Sequence, residues 1–109
     1  MSEPGTRVAR RGRARADETT QMRRLRQRID ALDRRIVTLL SERARLGRDL
    51  GALKSVAGRP TRDPEREREV LLRVAAANEG PLPQTDLLAI YRRVISATRR
   101  LEALDRRHH

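Results

Sequence analysis

From Met22 onward the apolar side chains recur at steps of three and four. Met22, Leu25, Ile29, Leu32, Ile36 and Leu39 are followed by Leu46, Leu50 and Leu53, and Arg43 stands where the pattern asks for an aliphatic. This is the seam of a single α-helix. Nothing interrupts it before Gly58 and Pro60, and Asp17, Thr19 or Thr20 is suited to cap its start. The spacing therefore predicts a helix of roughly 37 residues, about 55 Å long. A compact globule of about 90 residues is only about 25 to 30 Å across. One end of this helix has no core of its own chain to lie on, and a partner chain packed along the same seam is the economical solution.

The stretch GRPTRDP reads as a turn. A second helix follows, with Asp63 as N-cap, Pro64 in the first position and Val70, Leu71 and Val74 as its apolar face; it ends near Asn78 to Gly80. The segment PLP separates it from a third helix with the seam Leu87, Leu88, Tyr91, Val94, Ile95, Thr98, Leu101, Glu102. The predicted fold class is all-α, with a long, a short and a medium helix. Residues 1–16 hold five Arg and one Glu without apolar periodicity, so they read as a disordered basic tail, a solvated leader ahead of one helical domain over residues 17–107.

Composition narrows the chemistry. The chain of 109 residues has no cysteine, which excludes disulfides, thiolate nucleophiles and Cys-ligated metals. Both histidines are the final two residues, so neither a metal site nor His-based acid–base catalysis is expected. A net charge of +11 invites a nucleic-acid reading, yet Tyr91 is the single aromatic residue on which a base would stack. No apolar run reaches the roughly 18 residues of a membrane span, and the expected setting is cytoplasmic. Of the 26 basic residues only Lys54 is a lysine.

The informative residues are ionisable groups on apolar seams, because an unpaired buried charge costs several kcal/mol or more. Arg43 and Lys54 are 11 residues apart, so they leave one helix face about 16 Å from each other. Asp63, Arg66 and Glu67 lead directly into Val70, Leu71 and Val74 and extend that face, while Glu65, Arg68, Glu69 and Arg73 point elsewhere. Thr98 and Glu102 continue the line of Tyr91 and Ile95. Singly, each has a structural explanation: an Arg43–Glu67 pair inside a bundle, Lys54 snorkelling at a helix end, Glu102 at a frayed terminus. Together, three helices place polar groups where aliphatics belong, and such conflicts concentrate at functional sites. The available tools are cations, carboxylates and hydrogen-bond donors, which suit the binding of a small polyanion and stabilisation of charge developing in a transition state.

The segments LRQRIDALDRRIVTLLSERARLGRDLGALK, GRPTRDPEREREVL and LLAIYRRVIS resemble the all-helical class of chorismate mutases over roughly residues 22–104. The LR..ID.LD start, the ER pair, the isolated Lys and the D..RE motif occur together and in order. The resemblance implies an intertwined homodimer of three-helix chains with shared active sites. It also implies conversion of chorismate to prephenate, in aromatic amino acid biosynthesis, by a Claisen rearrangement that needs no cofactor. By that analogy Arg43 and the second copy's Arg26 hold the substrate carboxylates, with Arg66 and Thr98 in support. Lys54 donates to the ether oxygen, and Glu67, with Asp63 nearby, takes the ring hydroxyl. Arg26 and Arg43 are 17 residues apart, about 25 Å along one helix, too far for one small substrate to touch both. Two antiparallel copies bring Arg26 of one to Arg43 of the other.

Many family members carry Gln at the position of Glu102, where the amide donates a second hydrogen bond to the ether oxygen. A carboxylate has no proton to donate, whereas a carboxylic acid does, so Glu102 is expected to work protonated. The rival readings are an isochorismate-pyruvate lyase on the same fold, disfavoured by the intact RDPERE motif, a degenerate mutase acting as a regulatory partner, and a basic helical nucleic-acid adaptor. The sequence names no heteromeric pathway enzyme as partner.

Overall fold

The threonine hydroxyl that opens the first helix belongs to Thr19, whose Oγ1 accepts from the Met22 amide at 3.1 Å. The structure, a computed structural model, describes residues 18–108. It consists of α1 (Thr20–Val56), α2 (Pro64–Ala77) and α3 (Gln84–His108), with no strand among the described residues. The expected basic tail over residues 1–16, and with it the tail–domain boundary, lies outside the described residues. No helix among them is long and apolar enough to cross a membrane.

The helix ends are built by local chemistry. At the end of α1 the Arg59 amide donates to the Lys54 carbonyl at 2.8 Å and the Gly58 amide to Ser55 at 3.1 Å. This is the paired bonding of a Schellman motif, and it requires a left-handed residue, supplied by Gly58 with φ of 71°. Asp63 caps α2 through Oδ1, which accepts from the Arg66 amide at 3.1 Å. Pro64 then takes the first helical position, where no amide is missed. Asn78 closes α2; its Oδ1 accepts from the Gly80 amide at 3.0 Å and its Nδ2 donates to the Leu82 carbonyl at 3.1 Å, which shapes the turn into α3.

The chain divides between Thr38 and Leu39, inside α1, into two units. In the first, described from Glu18, the seam residues Met22, Leu25, Ile29, Leu32 and Ile36 are between 43% and 55% exposed. The second unit holds the rest of α1 with α2 and α3. There Val70, Leu71 and Val74 of α2 are half-buried, as are Leu87, Leu88, Tyr91, Val94, Ile95 and Leu101 of α3, so the predicted apolar faces meet. Leu72, off that face, is exposed. Among the described residues no hydrophobic side chain is fully buried; the two buried polar ones are Thr98 and Glu102.

Candidate active site

The second unit contains a cleft of about 250 Å³ between the C-terminal part of α1, the start of α2 and the middle of α3. Its polar lining comprises Arg43 and Lys54 from α1, Thr61 and the N-cap Asp63 from the turn before α2, Arg66 and Glu67 from the first turn of α2, and Thr98, Arg99 and Glu102 from α3. Leu46, Leu50, Val70 and Ile95 supply apolar wall. Seven of the eight residues singled out in the sequence therefore come together. Arg26 belongs to the first unit, where its Nε pairs with Glu18 Oε1 at 2.7 Å.

Arg43 is oriented by two neighbours on α3. Its Nη1 donates to Thr98 Oγ1 at 3.2 Å, and its guanidinium carbon lies 5.7 Å from the centroid of the Tyr91 ring. The Thr98 hydroxyl in turn donates to the Val94 carbonyl at 3.1 Å, so its rotamer is committed. The remaining N–H groups of the Arg43 fork suit a planar carboxylate. Lys54 lies three turns further along the same face. Its main chain is clamped by the Schellman bonds, and Arg106 of α3 donates to the Gly51 carbonyl at 3.4 Å and the Arg59 carbonyl at 3.1 Å on either side of it.

Glu102 is 8% exposed and lies in the interior of α3, which rules out the reading of a frayed helix end. Burial pushes its carboxyl above the ordinary carboxylate range. The cations Lys54, Arg106, Arg99 and Arg43 pull the other way but do not cancel the effect. The site thus holds a carboxyl biased toward its proton-donating form beside a lysine.

On α2 the structure departs from two expectations. Asp63 and Arg66 are exposed and do not extend the buried face, because Asp63 is committed to the helix cap and Arg66 pairs with Glu69 at 3.3 Å on the solvent side. The bundle-type pair of Arg43 with Glu67 is not formed either. Glu67 pairs instead with Arg99, from across the cleft, and Arg43 is turned to Thr98.

Sequence reasoning missed Arg99, Arg106 and two glycines. A Cβ on Gly47 would overlap Thr98 Cγ2, and one on Gly51 would stand 2.9 Å from Glu102 Cγ. These glycines let α1 approach α3 closely enough for Arg43 and Lys54 to share a cleft with Thr98 and Glu102. A signal was present: two glycines four apart inside a helix each cost about 1 kcal/mol against Ala, and they fall on the face of Arg43 and Lys54. Arg99 and Arg106 carry no such signal in a chain so rich in arginine.

Replacing Gly47 by Ala gains helix propensity but forces Thr98 off a rotamer held by two hydrogen bonds. We expect Gly47→Ala to destabilise the protein by about 1–2 kcal/mol, with overpacking outweighing propensity. The urea midpoint measures this; an unchanged or raised midpoint would show that Thr98 gives way freely.

Comparison with known proteins sets this cleft in a family. The family model for chorismate mutase type II matches residues 25–103, which include Arg26 and every cleft residue named above. The chain is 42% identical over 86 residues to a bifunctional chorismate mutase/prephenate dehydratase of Aquifex aeolicus, covering 75% of this chain and 24% of that protein. A chorismate mutase of Methanocaldococcus jannaschii is 38% identical over 50 residues, 46% of this chain and 50% of that one. The solved structure of the Thermus thermophilus chorismate mutase, form II, superposes with a TM-score of 0.74 at 36% identity, over 76% of this chain and 94% of that chain. The chain spans between 13% and 25% of the length of the bifunctional relatives it matches. Three helices in this order, a cleft lined by the D..RE motif and the isolated lysine, and these likenesses along most of the sequence place the chain in the type II chorismate mutase family.

Proposed function

We propose that this chain catalyses the rearrangement of chorismate to prephenate, as a cytoplasmic homodimer serving aromatic amino acid biosynthesis. The observation that carries the reading is the Arg43, Lys54 and Glu102 set in one cleft: a carboxylate clamp, an ammonium, and a carboxyl whose burial favours the protonated form. In the rearrangement the ether C–O bond breaks as a new C–C bond forms within the same molecule, so no nucleophile is consumed and no group leaves. Charge builds on the ether oxygen, and fixed donors aimed at it lower the barrier without reorganising. Lys54 and protonated Glu102 are those donors. Arg43, supported by Thr98, holds one substrate carboxylate, and Arg26 of a second copy holds the other, with Arg66 assisting. Glu67, beside Asp63, accepts the ring hydroxyl. The bare seam of the first unit supports the second copy, since exposed apolar rows of this length mark an interface.

Incubation of the purified chain with chorismate, followed by product identification, tests the assignment. Prephenate is expected. Pyruvate released from isochorismate, with chorismate untouched, would instead identify a lyase, and no turnover by a folded dimer at both acidic and neutral pH would refute the mutase reading.

Glu102 gives the reaction a pH signature. Its raised pKa means that the donor form persists above the usual carboxylate range and is lost as pH rises through the folded value. We therefore expect kcat/KM to be level on the acidic side and to fall about tenfold per pH unit beyond that value. Glu102→Gln, whose amide donates at every pH, should remove the alkaline fall. A profile that keeps the same limb in Glu102→Gln assigns the titration to another group.

A further inference from the structure

Glu67 is not left free to meet a substrate. Its Oε1 is engaged by Nη1 of Arg99, which reaches over from α3, and the partners are only 25% and 35% exposed at the side chain. The pair differs from Arg66–Glu69, which joins neighbours on one helix in solvent. Both of its members line the cleft. A carboxylate has acceptor sites on two oxygens, so one guanidinium on Oε1 leaves Oε2 available. Without Arg99, Glu67 would be a rotatable anion with the cation Arg66 next to it in sequence and Lys54 in the same cleft, and its orientation would be set by whichever of these it met.

We infer that Arg99 is a positioning residue: its guanidinium holds Oε1 of Glu67 so that Oε2 is presented to the ring hydroxyl of the substrate. The inference rests on the mutase reading above and extends it to a residue outside the D..RE motif. Arg99 itself touches no reacting atom. Its effect is that the acceptor is already oriented when the substrate arrives, so no side-chain freedom is lost at binding. Because a hydroxyl contact of this kind is made equally in the ground and transition states, loss of Arg99 should appear in KM and leave kcat largely unchanged.

A kinetic double-mutant cycle on the full chain tests this, with chorismate as substrate at a pH on the acidic plateau. Arg99→Gln is expected to raise KM about tenfold, the scale of one charge-assisted hydrogen bond, with kcat within about twofold of wild type. In a Glu67→Gln background the same change should add less than about twofold. Arg99→Lys, which keeps a cation near Glu67, should recover part of the loss. If thermal melting shows Arg99→Gln to be unfolded, Arg99→Lys carries the same cycle. Losses that add across the two sites, a fall confined to kcat, or a lysine variant no better than glutamine would overturn the inference while the mutase reading stands. A wild-type chain that leaves chorismate unchanged would overturn both.

Discussion

Lys54→Ala is expected to lower kcat/KM for chorismate by about a hundredfold to a thousandfold, the usual scale for removing one preorganised donor to a developing oxyanion. The substitution is clean because the fold uses the main chain of Lys54 and not its ammonium. Its carbonyl accepts from Arg59, and Arg106 holds the carbonyls of Gly51 and Arg59, all of which survive truncation of the side chain. Thermal stability should therefore change little while activity collapses. Of the cations opposing the proton on Glu102 the lysine acts most strongly, so its removal raises that carboxyl further. Residual activity should then extend to higher pH than in the wild type. Lys54→Arg is not expected to rescue the rate, since a planar fork cannot replace a compact ammonium in a cleft of about 250 Å³. Arg43→Ala should cost a similar factor with a different signature, because the loss of a carboxylate clamp that also holds Thr98 raises KM as well as lowering kcat. Wild-type rates in both variants would remove this cleft from the chemistry.

The second large effect lies outside the cleft. Leu32 is 51% exposed in the middle of the bare seam of α1. If a second copy covers that seam, Leu32→Glu removes about 2–3 kcal/mol of apolar burial at each of two equivalent positions. That raises the dimer dissociation constant by about a thousandfold to ten-thousandfold. Sedimentation should show monomers at micromolar concentration, and activity should vanish with the dimer. A companion experiment separates assembly from site sharing. Arg26→Ala and Arg43→Ala chains, each inactive alone, should recover about a quarter of wild-type activity when unfolded and refolded together, because half the mixed population pairs unlike chains and each such pair rebuilds one of its two sites. Recovery near zero from well-formed mixed dimers would place Arg26 and Arg43 in the same chain's site or remove Arg26 from it.

The candidate site was legible in the sequence to the extent that polar residues broke an apolar period. Arg43, Thr98 and Glu102 were visible because they occupy seam positions, and Lys54 because it is the single lysine. Asp63, Arg66 and Glu67 were legible as types at motif spacing, but their environment was not: the cap drew Asp63 out of the buried face, and Arg66 turned to Glu69. Arg99 was invisible because it is one arginine among 25, and its meaning depends on Glu67, 32 residues away on another helix.

The sequence by itself determined the three helices and their ends. Periodicity, a capping threonine and aspartate, a proline at the first turn of α2 and Gly58 after α1 act over a few residues, and local hydrogen bonding satisfies each of them without reference to the rest of the chain. Only the tertiary structure decided which charges meet. Glu67 with Arg99 depends on how α2 packs on α3. Arg43 with Thr98 and Arg106 with the turn after Lys54 depend on how closely α1 and α3 approach, and Gly47 and Gly51 set that approach by having no side chain in the way. The state of Glu102 belongs to the same level. The resemblance set its protonated form as an expectation, but the physical cause, burial that raises the carboxyl against the pull of four surrounding cations, exists only in the packed structure.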